Sequence, residues 1–205
     1  MRQLSIFLAA LFTTACHNGS DPYPPVAKSA PGTVAFMGDS VTYRWDLSDY
    51  TSLPTENFGV DSDTTAEMLA RFHNQVVNSD PAVVVILGGS TDLRLYGATG
   101  TNTDAIRAMV QDAADAGIKV ILCSVLPTTY PTMTNAEIES FNQEIIDIAK
   151  ENGDLYADYY DVMINADGTT NTSLYVDQLH PNSAGYKRMW AVVAPLIEED
   201  LNGGD

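Results

Sequence analysis

The sequence predicts an α/β fold in which a central parallel sheet is covered by helices on both faces. Three observations carry that prediction. Short, continuously apolar runs at residues 33–37, 83–87 and 118–125 recur along the chain, each followed by turn residues; strands read this way when crossover helices bury both of their sides. Between them lie segments whose apolar residues repeat every three to four positions, the spacing of a helix with one buried face. The chain of 205 residues is 45% hydrophobic and 18% charged, enough core-forming material for one domain of ordinary size.

The elements follow in order. The first strand, 33–37, ends in Gly38-Asp39-Ser40-Val41-Thr42, and a second short strand precedes Asn57-Phe58-Gly59-Val60. A helix over 64–77 runs up to Asp80-Pro81, where proline ends it. The strand 83–87 ends in Gly88-Gly89-Ser90-Thr91-Asp92. Ile106, Met109, Val110 and Ala113 share a helix face before Gly117, and Ile138, Phe141, Ile145 and Ile148 share another before Gly153; each glycine reads as a helix stop. A short strand at 154–157 and a last helix over 183–201 complete the pattern. In open sheets of this kind sites form at the carboxyl ends of the strands, where small and polar residues cluster here.

The formal net charge of −17 excludes two partner classes. Binding to nucleic acid draws most of its affinity from Lys and Arg on phosphates, and docking on anionic lipid needs the same charges. Residues 1–15 read as an export signal: Arg2 precedes an apolar run over 4–12 that is too short to span a bilayer. Thr13-Thr14-Ala15-Cys16 resembles the lipobox of bacterial lipoproteins, which implies lipidation of Cys16 and membrane contact only through that N-terminal anchor; the other reading is plain secretion with cleavage nearby. Residues 16–32, with Pro22, Pro24, Pro25 and Pro31, read as a stiff tether, leaving 33–205 as the folded domain. Cys123, inside an apolar run, reads as a small buried hydrophobe, so no disulfide is expected within the mature chain.

The strongest local signal is Asp177-Gln178-Leu179-His180-Pro181-Asn182, just before the last helix. A carboxylate three residues from an imidazole in a turn can set its tautomer and stabilise its protonated form. Ser40, in a glycine-bounded turn after the first strand, is a hydroxyl that such a base could activate.

These residues resemble, in chain order, the four blocks of the SGNH (GDSL-type) hydrolases: Gly38-Asp39-Ser40, Gly59 in Asn-Phe-Gly, Gly88 to Asp92, and Asp177 to Pro181. The resemblance spans about 33–196 and is nearest to small bacterial acylhydrolases. It implies a flavodoxin-like three-layer α/β/α sandwich and metal-free ester hydrolysis with no cofactor. Ser40 is implied as nucleophile, His180 as general base and acid, and Asp177 as its orienting partner. The implied oxyanion donors are the N–H groups of Ser40 and Gly59 and a side chain at position 91, where Thr91 replaces the family's Asn. The implied substrate is a small acylated ester, an O-acetylated carbohydrate being preferred.

Other readings stay open at this level. One is a binding lipoprotein on the same fold, weakly active or inactive because of Thr91. Another is a flavin electron carrier that cradles a phosphate on the Ser40-Val41-Thr42 turn, although it leaves Asp177 and His180 without a task. Asp61-Ser62-Asp63 and the turn at 165–168 read as solvated turns rather than calcium loops, and Asp161 is a second acid that could meet His180. Tyr43, Trp45, Leu93, Arg94 and Tyr96 stand near the blocks, either lining a pocket or packing in the core.

Overall fold

In a computed structural model of the protein, residues 26–97 and 100–203 are described, the side chains of 100–102 excepted. The expected export segment, Cys16 and the first part of the tether lie outside the described residues. Five parallel strands, β1 (Val34–Gly38), β2 (Thr55–Gly59), β3 (Val83–Leu87), β4 (Lys119–Cys123) and β5 (Leu155–Ala157), form one sheet in the order β2-β1-β3-β4-β5. Gly38 is level with Gly59 on one side and Leu87 on the other. The carboxyl ends of the three strands that precede the first three sequence blocks are therefore side by side.

Among the described residues seven α-helices accompany them: α1 (Ser40–Tyr43), α2 (Thr65–Phe72), α3 (Ser90–Tyr96), α4 (Gly100–Ala116), α5 (Asn135–Asn152), α6 (Tyr159–Val162) and α7 (Ser183–Leu201). Alternate strand residues face opposite ways, and the core divides accordingly. Met37, Ile86 and Leu122 pack with Met68 of α2, Met109 of α4 and Ile138 of α5, whereas Phe36, Val85 and Ile121 pack with Trp45 and with Met189 and Val193 of α7. This is the three-layer sandwich that the apolar runs and the family resemblance anticipate.

Local chemistry sets the helix ends. Thr64 and Glu67 form a capping box at α2, and Thr134 and Glu137 form one at α5, each satisfying two otherwise orphaned N–H groups. Gly117 and Gly153 end their helices with φ near +75°, a left-handed backbone that glycine adopts without a Cβ clash. Cys123 is buried in β4, and burial pushes its thiol up to about 12.

Three details differ from the sequence expectation. The expected helix over 64–77 changes after Phe72 into a π-helical turn, His73–Val77. The four-residue α1 and seven-residue α3 start directly at the strand ends, too short to show a period in the sequence. Residues at the end of the tether lie along the domain: Ser29 donates its N–H to the Ser79 carbonyl at 2.6 Å and its hydroxyl to Glu56 at 2.8 Å. Among the described residues no helix is long and apolar enough to cross a membrane.

Candidate active site

Ser40 is held by the junction of β1 with α1. Asp39 caps the helix, its Oδ1 accepting the Val41 N–H at 2.9 Å. A Cβ on Gly38 would lie 2.0 Å from Thr42 Oγ1, so only glycine lets α1 fold back so tightly on the strand. From the far layer, the Tyr186 hydroxyl of α7 donates to the Val41 carbonyl at 2.8 Å. Asp39 is fully buried, and loss of water pushes its pKa up to about 6 against the opposing pull of the Val41 N–H, the Ser90 hydroxyl and the charge of His180. With that carboxylate already on the Val41 N–H, the turn is a poor phosphate cradle, which counts against the electron-carrier reading.

Asp177 and His180 come from the loop before α7. Asp177 Oδ1 accepts the N–H groups of Leu179 at 2.8 Å and His180 at 2.7 Å, while Oδ2 meets His180 Nδ1 at 2.8 Å. Partial burial raises the carboxyl's pKa, but the two N–H groups and the imidazole outweigh it and hold the group at about 2. The ring's other nitrogen, Nε2, stands 3.0 Å from Ser40 Oγ. Asn182 fixes the loop: its Oδ1 caps α7 through Ala184 and Gly185, and its Nδ2 donates to the Ser173 carbonyl at 2.9 Å. Asp161, the rival acid, lies instead in the first turn of α6 with its N–H on Asp158.

Ser40 and His180 open into a cleft of about 230 Å³ that also reaches Thr91 and Ser62. Thr91, in the first turn of α3, is 4% exposed. Its side chain has no hydrogen-bond partner among the described residues, so its hydroxyl is free to donate into the cleft. Arg44, Asp61, Arg94 and Tyr130 form the rest of the wall. Trp45 and Leu93 belong to the core, Trp45 stacking on Tyr186 with centroids 5.3 Å apart, whereas Tyr43 and Tyr96 are exposed.

The assignment of Gly59 to the oxyanion hole is corrected. Its N–H donates at 2.8 Å to Asn57 Oδ1, and Asn57 is in turn anchored on the Thr42 and Trp45 carbonyls. Position 59 must be glycine for another reason: a Cβ there would sit 2.1 Å from the Tyr43 backbone nitrogen, where β2 passes against α1. The residues of this segment that do line the cleft are Asp61 and Ser62, the latter at φ +69°. The Ser62 N–H donates to no other described residue.

Sequence reasoning also missed Arg71. This side chain is completely buried, donating through Nε to Asp63 at 2.6 Å and through its terminal nitrogens to the carbonyls of Phe58 at 2.6 Å and Gly38 at 3.0 Å. It ties the ends of β1 and β2 to the loop that carries Ser62. Asp63 is therefore no solvated turn residue. Burial raises its pKa while Arg71 draws it down. The only sequence signal was a charge on the helix that otherwise contributes Met68 and Phe72 to the core.

Residues 36–188 match the model of the GDSL-like lipase/acylhydrolase family. The chain belongs to this family. The GDSL-like acylhydrolase is similar in structure to a proposed acylhydrolase of Bacteroides fragilis, at 28% identity and a TM-score of 0.76 over 89% of this chain and 92% of that one. It is also similar to a GDSL-like lipase of Bacteroides thetaiotaomicron, at 31% identity and a TM-score of 0.73 over 82% and 88% of the two chains. A variant of an acetyl-xylooligosaccharide esterase from Geobacillus shares the fold at 19% identity and a TM-score of 0.69, over 84% of this chain and 96% of that one. No curated protein matches the chain. Family and neighbours make this GDSL-like acylhydrolase a carboxylic ester hydrolase.

Proposed function

We propose that the protein removes small acyl groups, acetyl foremost, through an acyl-enzyme on Ser40. The observation that supports this reading is the unbroken line Ser40 Oγ, His180 Nε2, His180 Nδ1, Asp177 Oδ2, with spacings of 3.0 and 2.8 Å between the side chains. Ser40 Oγ attacks the ester carbonyl as His180 takes its proton. The resulting imidazolium is stabilised by Asp177 and returns the proton to the departing alcohol. Water then repeats the sequence on the acyl-enzyme and releases the acid.

The negative oxygen of the tetrahedral intermediate is met by the N–H of Ser40, which heads α1 and has no acceptor within that helix. The Ser62 N–H takes the place first given to Gly59, and the Thr91 hydroxyl stands where the family has an amide. Small acyl groups fit a cleft of about 230 Å³, and one fold neighbour is named as an esterase of acetylated xylooligosaccharides.

The test is the hydrolysis of 4-nitrophenyl acetate, butyrate and octanoate by residues 26–205 beside Ser40→Ala. Turnover that falls with chain length and vanishes in Ser40→Ala is expected. Equal rates on all three esters would remove the small-acyl reading, and tight ester binding without turnover would favour the binding lipoprotein. Lipidation of Cys16 is a separate proposal, read from the mass of the mature N-terminus.

A further inference from the structure

The cleft has an unusual charge for a chain with 10 Lys and Arg against 27 Asp and Glu. Two of those ten cations, Arg44 and Arg94, stand in its wall. Arg44 is partly neutralised, its guanidinium lying 3.3 Å from Asp61 and 4.0 Å from Asp177. Arg94 forms no ion pair with any described residue. It lies three residues beyond Thr91 on α3, and residues three apart share a helix face. The Thr132 hydroxyl donates to its carbonyl at 3.3 Å, joining this end of α3 to the loop before α5.

Depth divides the cleft by chemistry. Ser40 and Thr91, at 6% and 4% exposure, form its floor, while Arg44 and Asp61 are exposed at its rim and Arg94 is half-buried. A small acyl group on Ser40 therefore occupies the floor, and the alcohol part of the ester extends toward the guanidinium groups. A guanidinium offers a planar fork of donors that matches a carboxylate or a sulfate with two parallel hydrogen bonds. The acidic surface elsewhere repels anions, yet at 0.15 M salt charges are screened over about 8 Å, so inside the cleft the nearest cation decides. Tyr43 and Tyr96, 59% and 65% exposed on α1 and α3, add flat apolar surface to the same two helices.

We propose that the alcohol part of the substrate carries an anionic group, a carboxylate or a sulfate, and that Arg94, assisted by Arg44, selects it. This rests on the small-acyl reading on Ser40 proposed above and narrows its substrate class.

The test compares kcat/KM for 4-acetoxybenzoate and its neutral counterpart 4-acetoxybenzamide, in the parent and in Arg94→Gln and Arg94→Lys. Taking the ratio of the two esters in each protein and comparing across variants cancels their intrinsic difference in reactivity. The anion-to-neutral ratio is expected to fall about tenfold or more in Arg94→Gln, mainly through KM, and to recover partly in Arg94→Lys. A ratio that does not change in Arg94→Gln overturns the proposal. A parallel arm with 4-acetoxyphenyl sulfate tells which anion depends more on Arg94. Calorimetry of 4-hydroxybenzoate against 4-hydroxybenzamide on Ser40→Ala, with and without Arg94→Gln, reads the same preference without turnover. If no ester is cleaved by the parent, the small-acyl reading on Ser40 fails, and the calorimetric preference alone decides whether the cleft selects anions; equal binding of the two phenols overturns it.

Discussion

His180 Nε2 stands 3.0 Å from Ser40 Oγ although 140 positions separate the two residues. The contact depends on Asp177, whose carboxylate faces the opposite nitrogen of the ring at 2.8 Å. Asp177→Asn should leave the fold intact and lower turnover of 4-nitrophenyl acetate by about 10³- to 10⁴-fold, since the wrong tautomer then faces the serine. Asp161→Asn should change it little. The depressed Asp177 pKa contributes stability above the unfolded carboxylate value near 3.8, and that contribution fades as pH falls through about 2; thermal unfolding of parent and Asp177→Asn between pH 2 and 5 follows it.

Thr91 offers the cleft a hydroxyl with no partner among the other described residues. Removing an oxyanion donor outright costs on the order of 100- to 1,000-fold in turnover, so Thr91→Val should lose activity on that scale while KM changes little. Thr91→Asn should keep or raise turnover. A large loss in Thr91→Asn would mean that the hydroxyl has a role an amide cannot fill.

Positions 59 and 62 should respond in opposite ways. Gly59→Ala forces a methyl group into the Tyr43 backbone and should lower the melting temperature sharply. Ser62→Gly suits φ +69° and should fold at least as stably while retaining turnover, because the backbone N–H is kept. Full activity in a stably folded Gly59→Ala protein would contradict the packing role.

Arg71 and Asp63 form a buried ion pair beneath the cleft. Arg71→Met leaves Asp63 without its cation and should cost about 3–5 kcal/mol in urea unfolding. The double change Arg71→Met with Asp63→Leu should recover part of that loss in stability, but less of the turnover, because the loop bearing Ser62 loses its tie to β1 and β2.

Asp39 is buried next to Ser40, and burial pushes its pKa up to about 6. Its raised pKa means that the stability it contributes is present below about pH 4 and is lost as pH rises through 6. A shift from 3.8 to about 6 corresponds to about 3 kcal/mol. Asp39→Asn keeps a helix-capping side chain and should unfold at higher temperature than the parent at pH 7–8. Melting temperatures of the two proteins, measured in parallel across that pH range, check this effect.

Much of this architecture was legible in the chain. Val83–Leu87 is a strand over the length its apolar run marks, and α7 begins and ends at residues 183 and 201 as the periodic segment does. Asp177 and His180 could be paired from their spacing because three residues of turn bring them together. Helix α1 was not visible, since four residues cannot display a period, and neither was the buried state of Arg71 or Asp63, since a charged residue on a helix ordinarily faces water.

The sequence by itself determined the order of strands and helices and the strand ends at which Ser40, Thr91 and other small polar residues gather, because apolar periodicity, caps and short turns act over a few residues. Only the tertiary structure decided that Ser62 rather than Gly59 lines the cleft, that Arg71 binds two strand ends beneath it, and that Arg44 and Arg94 share its wall. Those relationships join segments that meet only across the sheet edge, where level β1, β2 and β3 bring Gly38, Gly59 and Leu87 side by side, and no local spacing carries that information.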